Sequence, residues 1–479
     1  MCLSDCRVAL VERREISSYP VLEPQAAPRK WASAMQICPF GKTAMHKLLE
    51  TLLEESGFDA ERKGAPDWNP LGRIIAPGDT VVLKPNWVTH HNTSGQGIDC
   101  LITHVSVVAA VLDFVLQASP GRVVVGDAPI QGCDFRHLMD VAGYTKIKEE
   151  YARLEVPIEW VDFRRTVLDT SRAYREPKTN LRPREQYALF DLGMESLLEP
   201  ISQDAGRFRV TMYNPDLMRQ THALGKHQYL VASEVLEADV VINLPKLKTH
   251  MKAGITGALK NLVGINGNKD YLPHHRLGGS ERGGDCYQGG SRLKLAGERL
   301  LDAANRRSGT ANLALRQFAR VSLELAQLLG EDSNLEGCWY GNGTIWRTCL
   351  DLNRILIYGR KDGTLANTPQ RRVLTITDAV ICGEGEGPLA PTPRPLGMLT
   401  CATNPLAAEY VHAHLMRFDW RRIPIIREGF RIAGFPIATF TPEDVEVIYQ
   451  GRLWKQPWPV WNSKTFLAPR GWQGHCEAG

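Results

Sequence analysis

Apolar positions along the chain fall into short β-branched runs and longer segments at helical spacing, separated by stretches rich in Gly, Pro and polar residues. Val8 to Glu12 predicts a strand and Met45 to Ser56 a helix. With the Pro-rich stretch between them, residues 1–75 read as an extension wrapped on a main body. After the Pro77-Gly78 turn, Thr80-Val-Val-Leu-Lys84 predicts a buried strand that stops at Pro85-Asn86. A polar loop from Thr89 to Gly97, a helix from Val105 to Gln117 and a strand from Gly121 to Asp127 follow. The cadence returns near residue 236: Ala238 to Leu244 predicts a strand, Pro245 to His250 a loop above the sheet, and Gly254-Ile-Thr-Gly257 a turn that opens a helix.

Residues 151–225 are Arg-rich and irregular and read as an insertion into a first core part, 76–275. A Gly-rich loop, Leu277 to Ser291, leads into helical sequence from Leu293 to Leu329, so that 276–345 form a lid-like insertion. The second core part, 346–450, opens with predicted strands at Asn353 to Tyr358 and Val373 to Asp378 and a helix at Leu406 to Met416. Trp454, Trp458, Trp461 and Trp472 mark residues 451–479 as an arm that packs rather than floats. Strands alternating with helices predict an α/β fold, a mainly parallel sheet with helices on both faces.

Composition narrows the class. With 479 residues, 43% of them hydrophobic, the chain has ample material for a large core. A net charge of +4 gives no case for general nucleic-acid binding, and the Arg-rich 163–185 stretch lacks interleaved aromatics. The longest apolar run, Val105 to Leu116, is too short to span a bilayer, so no membrane span is expected. The opening residues lack a charged segment followed by an apolar one, which leaves a cytoplasmic protein as the expectation. Eleven scattered cysteines without a C-x-x-C point to thiols in a reducing compartment and to no iron–sulfur cluster.

The densest chemistry is Lys246, Lys248, His250 and Lys252, followed by Gly254, Thr256, Gly257, Lys260 and Asn261. At a strand end, ammonium groups and free N–H groups suit a carboxylate or phosphate; Lys84 and Asn86 end the neighbouring strand. A solvated basic loop with packing glycines is the alternative. Six histidines, His90, His91, His104, His250, His274 and His275, lie in the polar loops, and an imidazole beside lysines is expected to titrate near neutrality as acid or base. Asp127, Asp99, Asp285, Asp378, Glu384 and Glu386 offer carboxylates for a mixed His/carboxylate metal site. Within that set Asp378, Glu384 and Glu386, spaced by glycines, could hold a divalent cation or share a proton; a turn with solvated acids is the alternative. Lys269 to His275 and Trp339 to Arg347 could frame a pocket. The expected function is an enzyme that moves a proton on an anionic small molecule, with His250, Lys260 and His104 as its working groups and Lys84, Asn86, Lys246, Lys248, Lys252, Thr256 and Asn261 holding the ligand. A divalent metal at Asp127, Asp378, Glu384 and Glu386 could assist. The rival is a non-catalytic binding protein that docks a partner or charged glycan through the basic loop and the Trp-rich arm.

Lys84-Pro-Asn, Thr103-His104, Gly126-Asp127, Pro245 to His250, Thr256 to Leu262 and Asp378 to Pro388 run in an order that resembles the family known as domain of unknown function 362. The resemblance covers about residues 80–445 and implies little about activity. A more distant likeness is to the lactate racemase family, whose cofactor is a nickel pincer nucleotide: His250, the Gly254 to Gly257 turn and Lys260, ten residues after the histidine, are similarly spaced. That likeness implies His250 as the acid/base, Lys260 as the covalent anchor of the cofactor and His104 in a binding loop, a racemase or epimerase alternative. Ala258 replaces the second glycine of the turn and Thr103-His104-Val-Ser reduces an earlier motif. The likeness therefore carries over the fold and the place of the site, not the cofactor.

Overall fold

The computed structural model describes residues 3–25, 39–169, 176–179 and 182–478. Its centre is an eleven-stranded sheet. In chain order the strands are β1 (Arg7–Glu12), β2 (Thr80–Pro85), β3 (Arg122–Asp127), β4 (Ile158–Asp162), β5 (Val240–Leu244), β6 (Lys246–His250), β7 (Gly254–Thr256), β8 (Arg372–Glu386), β9 (Ala390–Ala402), β10 (Glu446–Tyr449) and β11 (Arg452–Trp454). The spatial order is β11-β10-β1-β9-β8-β5-β2-β3-β4, with β6 beside β8 and β7 beside β6. Pairing is parallel from β8 through β5, β2 and β3 to β4, and antiparallel where β8, β9 and β1 meet. The sheet is thus mainly parallel in its first half, and the fold is α/β as the sequence predicts.

Alternate residues of the β-branched runs feed two cores. Val8, Val82, Val124 and Val241 face one core, shared with the Ile345–Tyr358 and Pro405–Met416 helices. Ala9, Val81, Val123 and Val240 face the other, shared with the Ala44–Glu55 and Val105–Gln117 helices. Both faces are covered, which is why these strands read as nearly continuous apolar runs. In the insertion, the Arg292–Asn305 and Gly309–Leu328 helices pack closely where Gly297 meets Leu323; a Cβ on Gly297 would lie 2.8 Å from the leucine side chain.

Two elements differ from expectation. Lys246 to His250 is not a loop but strand β6, buried throughout, because its side chains find partners on β8 and in the loop after β2. Asn353 to Tyr358 is not a strand but the last part of the Ile345–Tyr358 helix; a six-residue apolar run carries no periodicity that separates the two. Trp458, Trp461 and Trp472 are buried, so the Trp-rich segment packs on the body. The Arg-rich 163–185 stretch lies partly outside the described residues. Among the described residues no helix is long and apolar enough to cross a membrane.

Candidate functional site

At the C-terminal ends of β2 and β3, and beside the β6–β7 hairpin, lies a cavity of about 330 Å³. Its charged wall is made by Lys248, Lys252, Lys260 and Lys269, joined by His250 and His274. Leu168, Val210, Met212, Val263 and Leu389 complete an apolar side. Most metabolite pockets combine such an apolar wall with a few convergent polar groups.

Local sequence explains the hairpin. Pro245 ends β5, β6 runs on beside β8, and Gly254, at φ +81°, takes the left-handed conformation that lets β7 fold back. A Cβ there would also press on Trp472, at 2.9 Å. The pairing sets Lys248 opposite Thr256 and His250 opposite Gly254.

The lysines divide by partner. Lys84 is fully buried and pairs with Asp127 at 2.6 Å while donating to Asn261 Oδ1 at 3.0 Å; Asn261 in turn donates to Asn243 at 2.8 Å. Of these, Asp127 and Asn261 line the cavity whereas Lys84, expected to hold the ligand, is outside the lining and spends its charge on Asp127; Gly264 admits the pair, since a Cβ there would sit 1.9 Å from Asp127 Oδ1. Lys248 donates to Asn86 Oδ1 at 2.8 Å and to the Leu101 carbonyl; burial, with Lys246 and Lys260 near, pushes its ammonium well below the usual lysine range. Lys252 reaches Thr211 Oγ1 at 3.3 Å and Glu336 at 4.0 Å. Lys260 and Lys269 have no carboxylate partner among the described residues. Burial and the neighbouring cations lower both, Lys269 to about 8.

The imidazoles are neutral. His250 Nδ1 accepts the Lys252 and Ala253 N–H groups at 3.0 and 3.2 Å, which places the hydrogen on Nε2 and makes that atom a donor. His274 has the opposite tautomer, since its Nδ1 donates to the Leu272 carbonyl at 2.6 Å and leaves Nε2 an acceptor. Burial, then Lys260 for His250 and Lys252 for His274, drives both well below 6.5. The expectation of an imidazole titrating near neutrality is thereby corrected: neighbouring ammonium groups disfavour a second cation. Two further wall atoms, Thr256 Oγ1 and Gln131 Oε1, are buried without a hydrogen-bond partner among the described residues.

Not every expected residue joins this cavity. Lys246, fully buried, is held by Asp378 at 2.6 Å, and Asp378 also accepts from the Tyr19 hydroxyl at 2.6 Å and the His104 N–H at 2.9 Å. His104 caps the Val105–Gln117 helix, its Nδ1 accepting the Ser106 N–H, and stacks on Tyr19 at 3.8 Å; burial lowers its pKa to about 3. This network fixes β6 against β8 and is separate from the cavity wall.

The four carboxylates expected to hold a cation are not gathered. Asp127 and Asp378 are each neutralised by a lysine and saturated by N–H donors, Trp87 and Ala128 for the first, His104 and Val380 for the second. Glu384 accepts the Leu467 N–H at 3.0 Å and Glu386 the Arg470 N–H at 2.8 Å, so both carboxylates hold the Trp-rich arm. Nor are Asp99 and Asp285 drawn to one place: Asp99 lies 3.9 Å from His104, and Asp285 pins the Arg276 and Gly343 backbone. His90 and His91 pack on each other near His137, outside the cavity lining.

The Lys269 to His275 segment contributes Lys269 and His274 to the lining; His274 is among the six loop histidines that the sequence offers, whereas Lys269 is not marked there as a cavity group. A lysine closely followed by two histidines in a polar loop is the signal that was present.

Fold and cavity together define an α/β protein with a cationic pocket at strand ends. The chain belongs to the family described as Domain of unknown function (DUF362), which matches residues 81–181 and 184–414. It is 23% identical over 368 residues to a thylakoid-associated protein of Synechocystis sp., a match covering 77% of this chain and 72% of that protein. Among solved structures, a crystal structure of a Thermotoga maritima protein aligns at 12% identity with a TM-score of 0.32, covering 76% of this chain and 58% of that one. That likeness is too slight to carry an argument.

Proposed function

We propose that the cavity binds a small molecule bearing a carboxylate or phosphate, and that the protein is an enzyme performing proton transfer on it. The observation that carries this reading is the excess of cationic groups: Lys248, Lys252, Lys260 and Lys269 line a partly apolar cavity against two acids, Asp127 and Glu336, and neither Lys260 nor Lys269 has a paired carboxylate among the described residues. Buried charges without partners are costly, and an anionic ligand is what would repay them. Lys252 and Lys269 hold the anion, the His250 Nε2–H donates to an oxygen of the substrate, and Lys260, lowered by burial, is the amine that takes up and returns a proton. Thr256 and Gln131 supply the remaining polar contacts. A cavity of this size admits a metabolite rather than a polymer, so neither nucleic acid nor a glycan chain is the partner in this reading.

The nine described cysteines are free thiols, which supports a reducing compartment and the cytoplasm as the site of action. The test is a thermal-shift titration of the full chain with inorganic phosphate, pyrophosphate and small dicarboxylates. At least one should raise the melting temperature, by an amount that falls in Lys260→Met and in Lys269→Met. No shift with any of them would remove the anion-binding reading.

A racemase-like variant of the same chemistry keeps one supporting observation, that His250 and Lys260 line the same cavity. Added mass on Lys260 in protein from its native host would favour it.

A further inference from the structure

A second cavity, of about 400 Å³, shares Met251, Glu336 and Cys338 as wall residues with the first. Its lining includes His275, Cys286 and Glu298, all buried, and one ligand atom from each lies within 4.8 Å of the other two. We propose that these three side chains form a site for a divalent transition-metal ion of zinc type, with the fourth coordination position open to the cavity.

The three residues come from separate elements that the sequence brings together. His275 begins a short strand paired with Phe208–Arg209, Cys286 sits in the Gly-rich loop, and Glu298 is in the Arg292–Asn305 helix. Glycine makes the loop compact enough to do this: a Cβ on Gly284 would fall 2.0 Å from the Gly278 carbonyl, and one on Gly279 2.1 Å from that of Gly289. Folded so, the loop carries Cys286 over the helix.

Several features suit a cation better than a purely hydrogen-bonded cluster. Imidazole, thiolate and carboxylate are the donor set of zinc. His275 Nδ1 is buried without a partner among the described residues. Glu298 makes no ion pair among the described residues: it shares a hydrogen bond with the Cys286 thiol, which a bound ion would replace, and the nearby Arg209 is ion-paired to Asp302 at 2.8 Å. Binding balances charge: the ion replaces the protons of one thiol and one carboxyl, and M²⁺ with a thiolate, a carboxylate and a neutral imidazole sums to zero. Donors that orient such ligands are in place, with the Glu336 N–H on Cys286 Sγ at 3.0 Å and the Gly278 N–H on Glu298 at 3.1 Å. Three protein ligands and one open position are the pattern of catalytic rather than structural zinc. The shared wall would bring a metal-bound water near the lysine-lined cavity.

The experiment is a Co²⁺ titration of chelator-treated full-length protein, read by absorption. Tetrahedral Co²⁺ with one thiolate ligand should give intense visible bands and a near-ultraviolet charge-transfer band, saturating at one ion per chain and bleached by Zn²⁺. Cys286→Ser should lose the charge-transfer band, and His275→Ala should bind at least about tenfold more weakly. A wild-type protein without a charge-transfer band, or a band that persists in folded Cys286→Ser, overturns the proposal. Should Cys286→Ser fail to fold, Glu298→Gln, which keeps an oxygen for the Gly278 N–H, decides: affinity at least about tenfold lower supports the site, and unchanged affinity overturns it.

Discussion

Replacing Lys269 by methionine should make the ligand-free protein more stable at pH 7. The ammonium lines the cavity without a carboxylate, and burial together with Lys260 brings its pKa from 10.5 to about 8. At 1.36 kcal/mol per pH unit this difference is worth about 3 kcal/mol at most, and water in the cavity screens part of it, leaving about 1–3 kcal/mol. The sign follows from proton counts: between pH 8 and 10.5 the unfolded chain holds the proton that the folded chain has released, so wild-type stability rises with pH across that window. Below pH 8 both states are charged and the whole penalty stands. Methionine keeps the bulk and removes the charge, so its advantage should be full at pH 7 and gone near pH 10.5. Urea unfolding of both proteins at the two pH values measures this. Inorganic phosphate should reverse the order at pH 7, because at about 1,000 times its dissociation constant it adds about 4.1 kcal/mol to the protein that binds it. A Lys269→Met protein less stable than wild type at pH 7 in the absence of phosphate would show that the ammonium is already compensated and would refute the reasoning.

Asp378→Asn leaves Lys246 charged and buried without its partner and should cost about 3–5 kcal/mol in urea unfolding, most of it recovered on adding Lys246→Met; an equal loss in the double variant would deny the pairing. Gly264→Ala drives a methyl into Asp127 and Lys84 and should cost about 1–3 kcal/mol while weakening phosphate binding; an unaltered unfolding midpoint would mean that the pair yields freely. Substituting both Glu384 and Glu386 by alanine should speed proteolysis within 463–473, whereas Ca²⁺ or Mn²⁺ added to wild type should leave that rate unchanged. Protection by either ion would return these acids to the role of ligands.

Legibility in the sequence tracked how local each interaction is. Thr80 to Lys84, Val105 to Gln117 and Ala238 to Leu244 were readable because their apolar spacing is set by what they bury. Lys246 to His250 was not: two lysines and a histidine look like a solvated loop until Asp378, 132 residues later, and Asn86, 162 residues earlier, are placed beside them. The same distance effect hid the fate of the acids. Gly383, Glu384, Gly385 and Glu386 resemble a turn, yet they continue β8, and Gly383 is glycine because the Cys100 carbonyl lies 2.6 Å from where its Cβ would be. Within the lysine cavity, Lys248, His250, Lys252, Thr256, Lys260 and Asn261 were found from their density in one segment. Lys269 and His274 belong to a stretch whose chemistry shows only when it faces the first.

The position of β1 bears on how the protein is made. This strand, which precedes every other strand of the sheet in the chain, lies inside the sheet between β9 and β10. Ala9 pairs with Cys401, roughly 390 residues downstream, which at about 5–20 residues per second is synthesised roughly 20–80 s later. For that interval an apolar strand, Val8-Ala-Leu-Val11, has neither neighbour. Nascent chains therefore carry an unpaired, pairing-competent strand throughout the interval between β1 and β9, and the yield of native protein should depend on elongation rate and on chaperones that shield β1.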